Sequence, residues 1–278
     1  MPYLTEPTPS YGEVTTVSEG IRRIVANNPS LMTYHGTNTY LIDTPTGLVV
    51  LDPGPNDPAH LKAILDALDH PPALILLTHS HHDHSGLVPA LRQATGAPLW
   101  TFRAPADQAI VPDRRLDDGE SVAGLTAIHT PGHASDHICL AHPSGILFSG
   151  DHVMSWSSSI VSPPDGDMAI YCESLRKLLA RRDTAFLPGH GPILRDPRGF
   201  VADLLRYRVE REQAILDLLR EQPMPPVEIA KVLYANRNVR LQPAAQRNVI
   251  AHLMKLEREG LATQVSDHWR AVVRCEAQ

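Results

Sequence analysis

A run of seven residues, Thr-His-Ser-His-His-Asp-His at positions 78–84, constrains this chain more than any other feature. It places four imidazoles and one carboxylate within six residues, directly after the apolar segment 73–77. That segment predicts a buried strand, and the turn after a strand can direct nearby side chains at one point. Imidazole and carboxylate together suit Zn²⁺ and related divalent cations. The run therefore predicts a metal site, and its candidate ligands are His79, His81, Asp83 and His84.

Three more candidate ligands follow, each at the end of a strand-like segment and beside a glycine. They are His133, Asp151 and His190. A glycine at such a position allows unusual backbone dihedrals or a close approach to a crowded site. Each fragment alone is a weak signal. Together, and in this order, they predict that distant parts of the chain converge on one metal centre.

Size and composition are those of a folded protein with many loops. The chain has 278 residues, 42% of them hydrophobic, which is enough for one large domain and a small one. Its 25 prolines and 17 glycines are typical of a protein whose function is carried on loops. The first 11 residues lack a basic segment followed by an apolar one, and no run approaches ~18 apolar residues. We therefore expect a soluble, cytoplasmic protein without a membrane partner.

The charge of the chain is unevenly distributed. From residue 205 onward there are 12 basic and 9 acidic side chains, whereas the preceding residues hold 13 basic and 22 acidic ones. Binding of phosphate groups depends on Lys and Arg. An acidic catalytic region therefore argues against a large polyanionic substrate.

Two kinds of sequence pattern divide the chain. Up to about residue 200, short strand-like segments alternate with amphipathic helical ones, which predicts sheets covered by helices. After that, three helical segments between 201 and 259 precede a strand pair between 261 and 273, an order that favours a winged helix. We predict an N-terminal arm (1–11), a catalytic domain (12–200) and a winged-helix-like domain (201–278).

With these motifs the chain resembles the metallo-β-lactamase superfamily over about residues 12–200. The segments Gly-Thr-Asn-Thr-Tyr at 36–40 and Leu-Asp-Pro-Gly at 51–54 also look like early motifs of that family. The resemblance implies an α/β fold, the αββα sandwich, with a binuclear metal site at one edge. It also implies a division of the ligands. The first metal would be held by His79, His81 and His133, the second by Asp83, His84 and His190, with Asp151 bridging both and Asp52 behind the ligands.

The implied activity is hydrolysis. Two metals lower the pKa of a shared water, so that hydroxide is available near neutral pH. The resemblance thus implies a metal-bridging hydroxide that attacks an ester-type bond. Asp83, a ligand beside the nucleophile, is the predicted catalytic proton carrier. Two divalent ions are expected, with Zn²⁺ favoured and iron or manganese also compatible with the donor set.

Departures from the family pattern narrow the activity. Asp151 stands where β-lactamases of the main zinc class carry cysteine, which argues against antibiotic hydrolysis. His81 stands where the redox di-iron flavoproteins carry glutamate. Only 18 residues separate positions 133 and 151, and 39 separate 151 and 190. These spacings leave no room for the large inserted domain of the nucleases that process RNA and DNA.

The C-terminal region leaves several functions open. Its winged helix resembles that of β-lactamase-like endoribonucleases, and a similar tail accompanies certain thioesterases. A small carboxylic ester or thioester is favoured as substrate, because the catalytic region is acidic, and single-stranded RNA is the alternative. A metal-sensing regulator whose winged helix binds DNA is a third hypothesis, which a complete ligand set disfavours. We expect the tail to form a homodimer or to cover the rim of the active site rather than to bind nucleic acid.

The remaining histidines call for separate expectations. We expect His129 to pack in the core, His82 to be solvated because its neighbours face the metals, and His252 to lie at the surface. Three histidines beside the motifs could either support the ligands or have a structural role: His35, His137 and His152. The polar loops at 155–159 and 162–167, which follow Asp151, are candidate walls of the substrate pocket.

Overall fold

Two β-sheets form the first of the two structural units in this protein. The computed structural model describes residues 3–103 and 109–272. The first unit comprises residues 1–131, 136–159 and 181–198, and the second comprises 132–135, 160–180 and 199–278. By its contacts, the segment 160–180 therefore groups with the C-terminal residues. The domain boundaries drawn from the sequence stay a prediction.

The larger sheet has seven strands that lie in sequence order. They are β1 (Thr15–Ser18), β2 (Ile21–Val25), β3 (Asn38–Thr44), β4 (Gly47–Leu51), β5 (Leu74–Leu76), β6 (Leu99–Phe102) and β7 (Arg114–Leu116). The first four strands pair antiparallel, and β4 to β7 pair parallel. Parallel strands require crossover connections. The crossovers after β4 and β5 carry the helices α1 (Pro58–Asp66), α2 (His82–Ser85) and α3 (Val88–Thr95).

The smaller sheet has six strands in the order β13-β12-β11-β10-β9-β8. In the chain they are β8 (Ser121–Val122), β9 (Leu125–His129), β10 (Ile138–Ala141), β11 (Ile146–Gly150), β12 (Ala185–Pro188) and β13 (Leu194–Arg195). All neighbours pair antiparallel except β11 and β12, which are parallel. The carboxyl ends of β11 and β12 therefore lie at the same edge, where ligands can be brought together.

The central strands of the larger sheet, β3 to β6, are largely buried on both faces. In β3, Tyr40 and Ile42 belong to one apolar cluster, whereas Leu41 belongs to another. Because side chains alternate along a strand, the two clusters lie on opposite faces of the sheet. The first cluster fills the space between the two sheets, and the second packs α1 and α3 through Ile64 and Leu91. Burial on both faces explains why β4 and β5 read as nearly continuous apolar runs.

Local sequence explains where the helices of the first unit begin and end. Asp57 caps α1 by accepting a hydrogen bond from the Ala59 N–H, and Pro58 occupies the first position of the helix. Gly96 ends α3 in the left-handed conformation, with φ 71°. Inside the histidine run, α2 begins at His82. The run is therefore a junction between a strand and a helix.

The second unit is mainly helical within the residues that the structure describes. It contains α4 (Met168–Leu179), most of α5 (Pro197–Glu221), α6 (Pro226–Leu233) and α7 (Gln242–Arg258), followed by the hairpin β14 (Ala262–Val265) and β15 (His268–Ala271). Its apolar core joins α5, α6, α7 and the hairpin through Ile215, Ile229, Leu253 and Trp269. The predicted series of three helices and a strand pair is confirmed. No described helix, not even the 25-residue α5, is long and apolar enough to cross a membrane.

One expectation for the histidines of the tail is wrong. His252 is fully buried, because it lies on the inner face of α7 with Nδ1 3.2 Å from Oε2 of Glu212 on α5. Burial lowers the pKa of His252, against the opposing effect of the Glu212 carboxylate. The expectation for His82 is met, whereas His129 is only half-buried. His82 is exposed, and His129 stacks on Phe102 with ring centroids 4.0 Å apart.

Candidate metal centre

Strand ends bring candidate ligands from distant parts of the chain to one edge of the two sheets. β5 ends shortly before His79, β11 ends directly before Asp151, and β12 ends shortly before His190. The N–H of Ile138, at the start of β10, donates to the carbonyl of Thr78 at 2.7 Å and so joins the two sheets at this edge. The predicted convergence follows from the way in which these strands are arranged.

Two overlapping groups of side chains in the first unit could each hold a metal ion. One group is His79, His84 and Asp151, and the other is Asp83, His84 and His190. Within each group the donor atoms lie within 4.8 Å of one another. His81 adjoins the first group, with its Nδ1 2.9 Å from Nε2 of His79. The structure thus brings six of the seven predicted ligands together, while their role as ligands stays a prediction.

The buried nitrogens of His84 and His190 test whether cations would fit. Nε2 of His84 lies 3.5 Å from Asp151 Oδ1 and 3.8 Å from Asp83 Oδ2. Nε2 of His190 lies 3.2 Å from Asp83 Oδ2 and 3.4 Å from Asp151 Oδ2. Neither nitrogen makes a hydrogen bond among the described residues. Buried polar atoms normally have partners, and a cation between the imidazoles and carboxylates would supply them. The residues present therefore fit a divalent metal ion.

Asp52, buried behind these ligands, orients two of the imidazoles. Its Oδ1 accepts the Thr78 N–H at 2.7 Å, and its Oδ2 accepts the Thr78 hydroxyl at 2.8 Å and Nδ1–H of His84 at 3.0 Å. Because the hydroxyl donates to Asp52, it must accept from Nδ1 of His79, which lies 3.0 Å away. His79 and His84 therefore carry their ring proton on Nδ1. Each turns Nε2 toward the cluster, as metal binding requires.

The turn that carries His190 is held from the larger sheet. Nδ1 of His190 donates to the carbonyl of Gly36 at 3.2 Å, which again leaves Nε2 for the cluster. The amide of Asn38 donates to the carbonyls of Pro188, at 3.0 Å, and of Gly191, at 2.9 Å. These hydrogen bonds fix the residues on both sides of the ligand.

His137, whose role the sequence left open, supports the predicted bridging ligand. Its Nε2 accepts the backbone N–H of Asp151 at 3.2 Å, and its Nδ1 lies 2.9 Å from Oγ1 of Thr130. The chain passes very close to this ring, since a Cβ on Gly150 would lie 2.5 Å from Nε2 of His137. Glycine is therefore required directly before the ligand, for the reason expected from the sequence.

His133 belongs to the second unit, where it lies in the short segment 132–135. Its Nδ1 is 2.7 Å from the carbonyl of Ile160, and the carbonyl of Gly132 accepts the N–H of Asp167 at 2.9 Å. The structure shows how this ring is held within its own unit. That His133 is the third ligand of the first metal stays a prediction.

Without a metal ion, the carboxylates of the cluster favour protonation of the imidazoles of His84 and His190. Burial lowers the pKa of His190, but Asp151 and Asp83 outweigh it and raise that pKa to about 9. The same carboxylates raise the pKa of His84 against burial. Burial opposes ionisation of Asp83 and Asp151, yet the two imidazoles lower both carboxyl pKa values. A metal ion must therefore displace imidazole protons when it binds.

The loop at 155–159, a candidate pocket wall, packs beside the His190 turn. Trp156 stacks on Tyr34, with ring centroids 5.0 Å apart and an interplanar angle of 27°. A Cβ on Gly191 would lie 2.5 Å from Cδ1 of Trp156, so the ring covers this glycine closely. The position of Trp156 next to a candidate ligand is observed, and its contact with substrate stays a prediction.

Sequence reasoning did not single out three of the supporting residues. Thr78 and Asn38 lie inside the motifs, so their polar side chains next to candidate ligands were an available signal. Arg23 lies in no motif. Its NH1 donates to the carbonyl of Gly191, 168 residues away, at 3.4 Å, and no local pattern could indicate such a pairing.

Comparison with known proteins supports both the predicted fold and the predicted C-terminal winged helix. The metallo-beta-lactamase superfamily profile matches residues 32–190, and the profile of the beta-lactamase associated winged helix domain matches residues 226–269. The chain is 34% identical over 269 residues to the beta-lactamase-like protein 2 homolog of Drosophila melanogaster, covering 89% of this chain and 91% of that protein.

Solved structures show the same fold. A beta-lactamase domain protein from Burkholderia ambifaria matches with a TM-score of 0.83 and 24% identity over 96% of each chain. A second protein, TTHA1623, was solved in a di-iron-bound form. It matches with a TM-score of 0.56 and 28% identity over 64% of this chain and 96% of its own. The predicted fold class and winged helix are confirmed, and the chain belongs to the metallo-β-lactamase superfamily of metal-dependent hydrolases.

Proposed function

We propose that this protein is a binuclear metal-dependent hydrolase whose substrate is a carboxylic ester or a thioester. The observation that carries the proposal is the geometry of the buried imidazoles. Nε2 of His84 and Nε2 of His190 face carboxylate oxygens at 3.2–3.8 Å, and neither makes a hydrogen bond among the described residues. Such an arrangement suits cations placed between the imidazoles and the carboxylates.

Two divalent cations held there would make a water molecule nucleophilic near neutral pH and would stabilise the charge that develops on the attacked bond. The proposed ligands of the first are His79, His81 and His133, those of the second are Asp83, His84 and His190, and Asp151 is shared. Zn²⁺ is favoured by this donor set, and manganese is compatible with it. Iron is supported by the relative solved in a di-iron-bound form.

Asp83 is the proposed proton carrier because it combines a position in the cluster with access to solvent. Its side chain is 32% exposed, whereas those of His84, His190 and Asp151 are 0%, 1% and 9% exposed. Burial opposes its ionisation, but His84 and His190 lower its pKa, so Asp83 is a carboxylate at neutral pH. In the proposed reaction Asp83 takes the proton of the attacking water and passes it to the leaving group.

Ion pairing in the first unit supports a substrate of low charge. Seven of its basic side chains already lie within 3.6 Å of a carboxylate: Arg22, Arg23, Lys62, Arg92, Arg103, Arg114 and Arg181. Binding of a polyanion draws on Lys and Arg side chains whose charge is not already balanced. A neutral ester or thioester makes no such demand.

Single-stranded RNA is the second candidate substrate, and one observation favours it. Arg237, Arg240 and Arg270 are exposed in the winged-helix region, where the chain matches a domain associated with this superfamily. Exposed arginines on such a domain could contact a phosphate backbone. A carboxylic ester or thioester remains the favoured substrate because the residues that precede this region are acidic overall.

Turnover of three substrate classes by one preparation tests the proposal. Purified protein loaded separately with Zn²⁺, Mn²⁺ and Fe²⁺ would be assayed with p-nitrophenyl esters, an acyl thioester and end-labelled single-stranded RNA, with Asp151→Ala as control. Metal-dependent hydrolysis of an ester or thioester that the control lacks supports the proposal. Cleavage of RNA alone supports the second candidate. Two bound metals with no turnover, together with binding of duplex DNA, would favour a regulator instead.

We also propose that the protein forms a homodimer and acts without a membrane partner. The basis is the expected role of the tail rather than an observed interface. Light scattering on purified protein at several concentrations would measure the molar mass, and a monomer at all of them would refute the dimer.

A further inference from the structure

We infer that Glu6, in the N-terminal arm, is a positioning residue for the predicted metal ligand His190. The inference rests on the proposed function. It assigns a role at the metal site to the N-terminal arm, which carries no motif. Two separate routes of contacts lead from Glu6 to the turn that holds this ligand. All of the residues involved belong to the first unit.

The first route runs through an ion pair. The carboxylate of Glu6 accepts hydrogen bonds from NH1 and NH2 of Arg23, at 3.2 and 3.1 Å. The two side chains are only 19% and 12% exposed, so water competes weakly for the pair. NH1 of Arg23 also donates to the carbonyl of Gly191, which directly follows His190. Bidentate pairs of this kind fix both position and orientation.

The second route runs through the main chain of Glu6. Its N–H donates to the hydroxyl of Tyr34 at 3.1 Å, and its carbonyl lies 3.0 Å from Nε2 of His35. These two residues directly precede Gly36, whose carbonyl orients the ring of His190 through Nδ1. Tyr34 adopts a left-handed conformation with φ 56°, which is unusual for a residue other than glycine. External contacts are therefore needed to hold this segment in place.

A third set of contacts joins the N-terminal arm to the loop that packs beside His190. The N–H of Leu4 donates to the carbonyl of Ser155 at 3.0 Å, so the arm is also attached to the loop after Asp151. Trp156 in that loop stacks on Tyr34 and covers Gly191. The arm thus contacts the loop that covers the His190 turn as well as the segment that orients its ring.

The expected effect is on metal binding at the second position, where Asp83, His84 and His190 converge. Ligand geometry must hold to within about 0.5 Å, and loss of a group that orients a ligand costs about 10- to 100-fold in metal affinity. Glu6→Ala removes the ion pair with Arg23 and keeps the main-chain contacts. We therefore expect an effect at the lower end, about 10-fold. Binding at the first position should change little.

The experiment compares full-length Glu6→Ala and Glu6→Gln with wild type after reconstitution with Co²⁺. Visible absorption and metal content would be followed while a chelator is titrated in. The matched control is Asp183→Ala, because Asp183 also makes a bidentate pair, with Arg181 at 2.7 and 2.8 Å, in the same unit. That pair has no contact with the ligand turn among the described interactions. Urea unfolding of each metal-free variant would measure any general loss of stability.

Three results are distinguishable. Earlier release of one Co²⁺ by Glu6→Ala, with a changed absorption band and an intermediate effect in Glu6→Gln, supports the inference when Asp183→Ala behaves as wild type. Two ions bound by Glu6→Ala as tightly as by the control variant would overturn the inference but leave the proposed function standing. A wild-type protein that binds no metal would overturn both. If Glu6→Ala does not fold, Glu6→Gln decides by the same criteria.

Discussion

Replacing Asp52 with asparagine would test whether one buried carboxylate determines how both metals are held. Asp52 has a left-handed backbone conformation with φ 51°, which asparagine adopts about as readily. The two side chains have the same shape, and the position is only 1% exposed. The substitution therefore changes hydrogen bonding and leaves packing intact.

The size of the effect follows from the hydrogen-bond pattern. Asparagine would keep an oxygen for the Thr78 N–H but would present an NH₂ group where Oδ2 now accepts from His84. His84 would then accept on Nδ1 and carry its proton on Nε2, which blocks metal binding. The Thr78 hydroxyl, having lost its acceptor, would donate to His79 and shift that ring in the same way. Each bond to a charged acceptor contributes about 1.5–3 kcal/mol, so we expect affinity to fall about 10- to 100-fold at each position.

Chelator competition on Zn²⁺-loaded Asp52→Asn, with metal counted per protein, would measure this loss. Asp43→Asn is the control, because Asp43 is a largely exposed carboxylate at the end of β3 that pairs only loosely with Arg22 at 3.6 Å. Urea unfolding of the metal-free variants would show whether the fold is kept. If Asp52→Asn is folded and binds two ions as tightly as wild type, Asp52 does not set the tautomers of His79 and His84.

Three further predictions concern catalysis, pH and the second unit. Asp151→Ala should abolish hydrolysis and lower metal content while the far-UV circular dichroism spectrum stays unchanged, and a variant with wild-type turnover would refute the proposed mechanism. Burial lowers the pKa of His60 to about 4, so its contribution is present above its unfolded pKa near 6.5 and is lost as pH falls toward 4. That loss is about 3 kcal/mol, and His60→Gln should therefore lose less stability than wild type between pH 7 and pH 4 in urea unfolding. Asp167 caps α4 through two N–H groups and pairs with Arg258 at 2.6 and 2.8 Å. Asp167→Ala should lower the free energy of unfolding by about 1–2 kcal/mol, whereas Asp167→Asn, which keeps the cap, should cost less than about 1 kcal/mol; equal losses would contradict this assignment.

The parts of the fold that sequence predicted correctly depend on local patterns. The apolar run before Thr78 marks a strand because burial on both faces leaves no room for polar residues. The helices of the tail could be recognised from their spacing of apolar residues, with Pro243 near the start of α7 and Gly260 just past its end. Candidate ligands were visible because few other side chains bind metals, and because each followed a strand.

The features that the sequence predicted wrongly or did not reveal share a different cause. We expected His252 to lie at the surface because its position in α7 gives no information about side chains on α5. In the structure it contacts the carboxylate of Glu212, which lies 40 residues away in the chain. The contact between Arg23 and Gly191 spans 168 residues. The segment 160–180 groups with the tail although it lies between β11 and β12 in sequence. Such pairings depend on how elements pack, which the order of residues along one element does not record.

For this protein, residue identity alone determined the kind of chemistry, since imidazoles and carboxylates after apolar strands are suited to divalent cations wherever the strands meet. Tertiary structure decided which nitrogen of each ring faces the cluster, through Asp52 for His79 and His84 and through Gly36 for His190. It also decided that Asp83, unlike the buried His84 and His190 beside it, retains access to solvent, with 32% of its side chain exposed. The physical reason is that hydrogen bonding and burial are properties of positions in space, and distant segments acquire those positions only when the two sheets pack together.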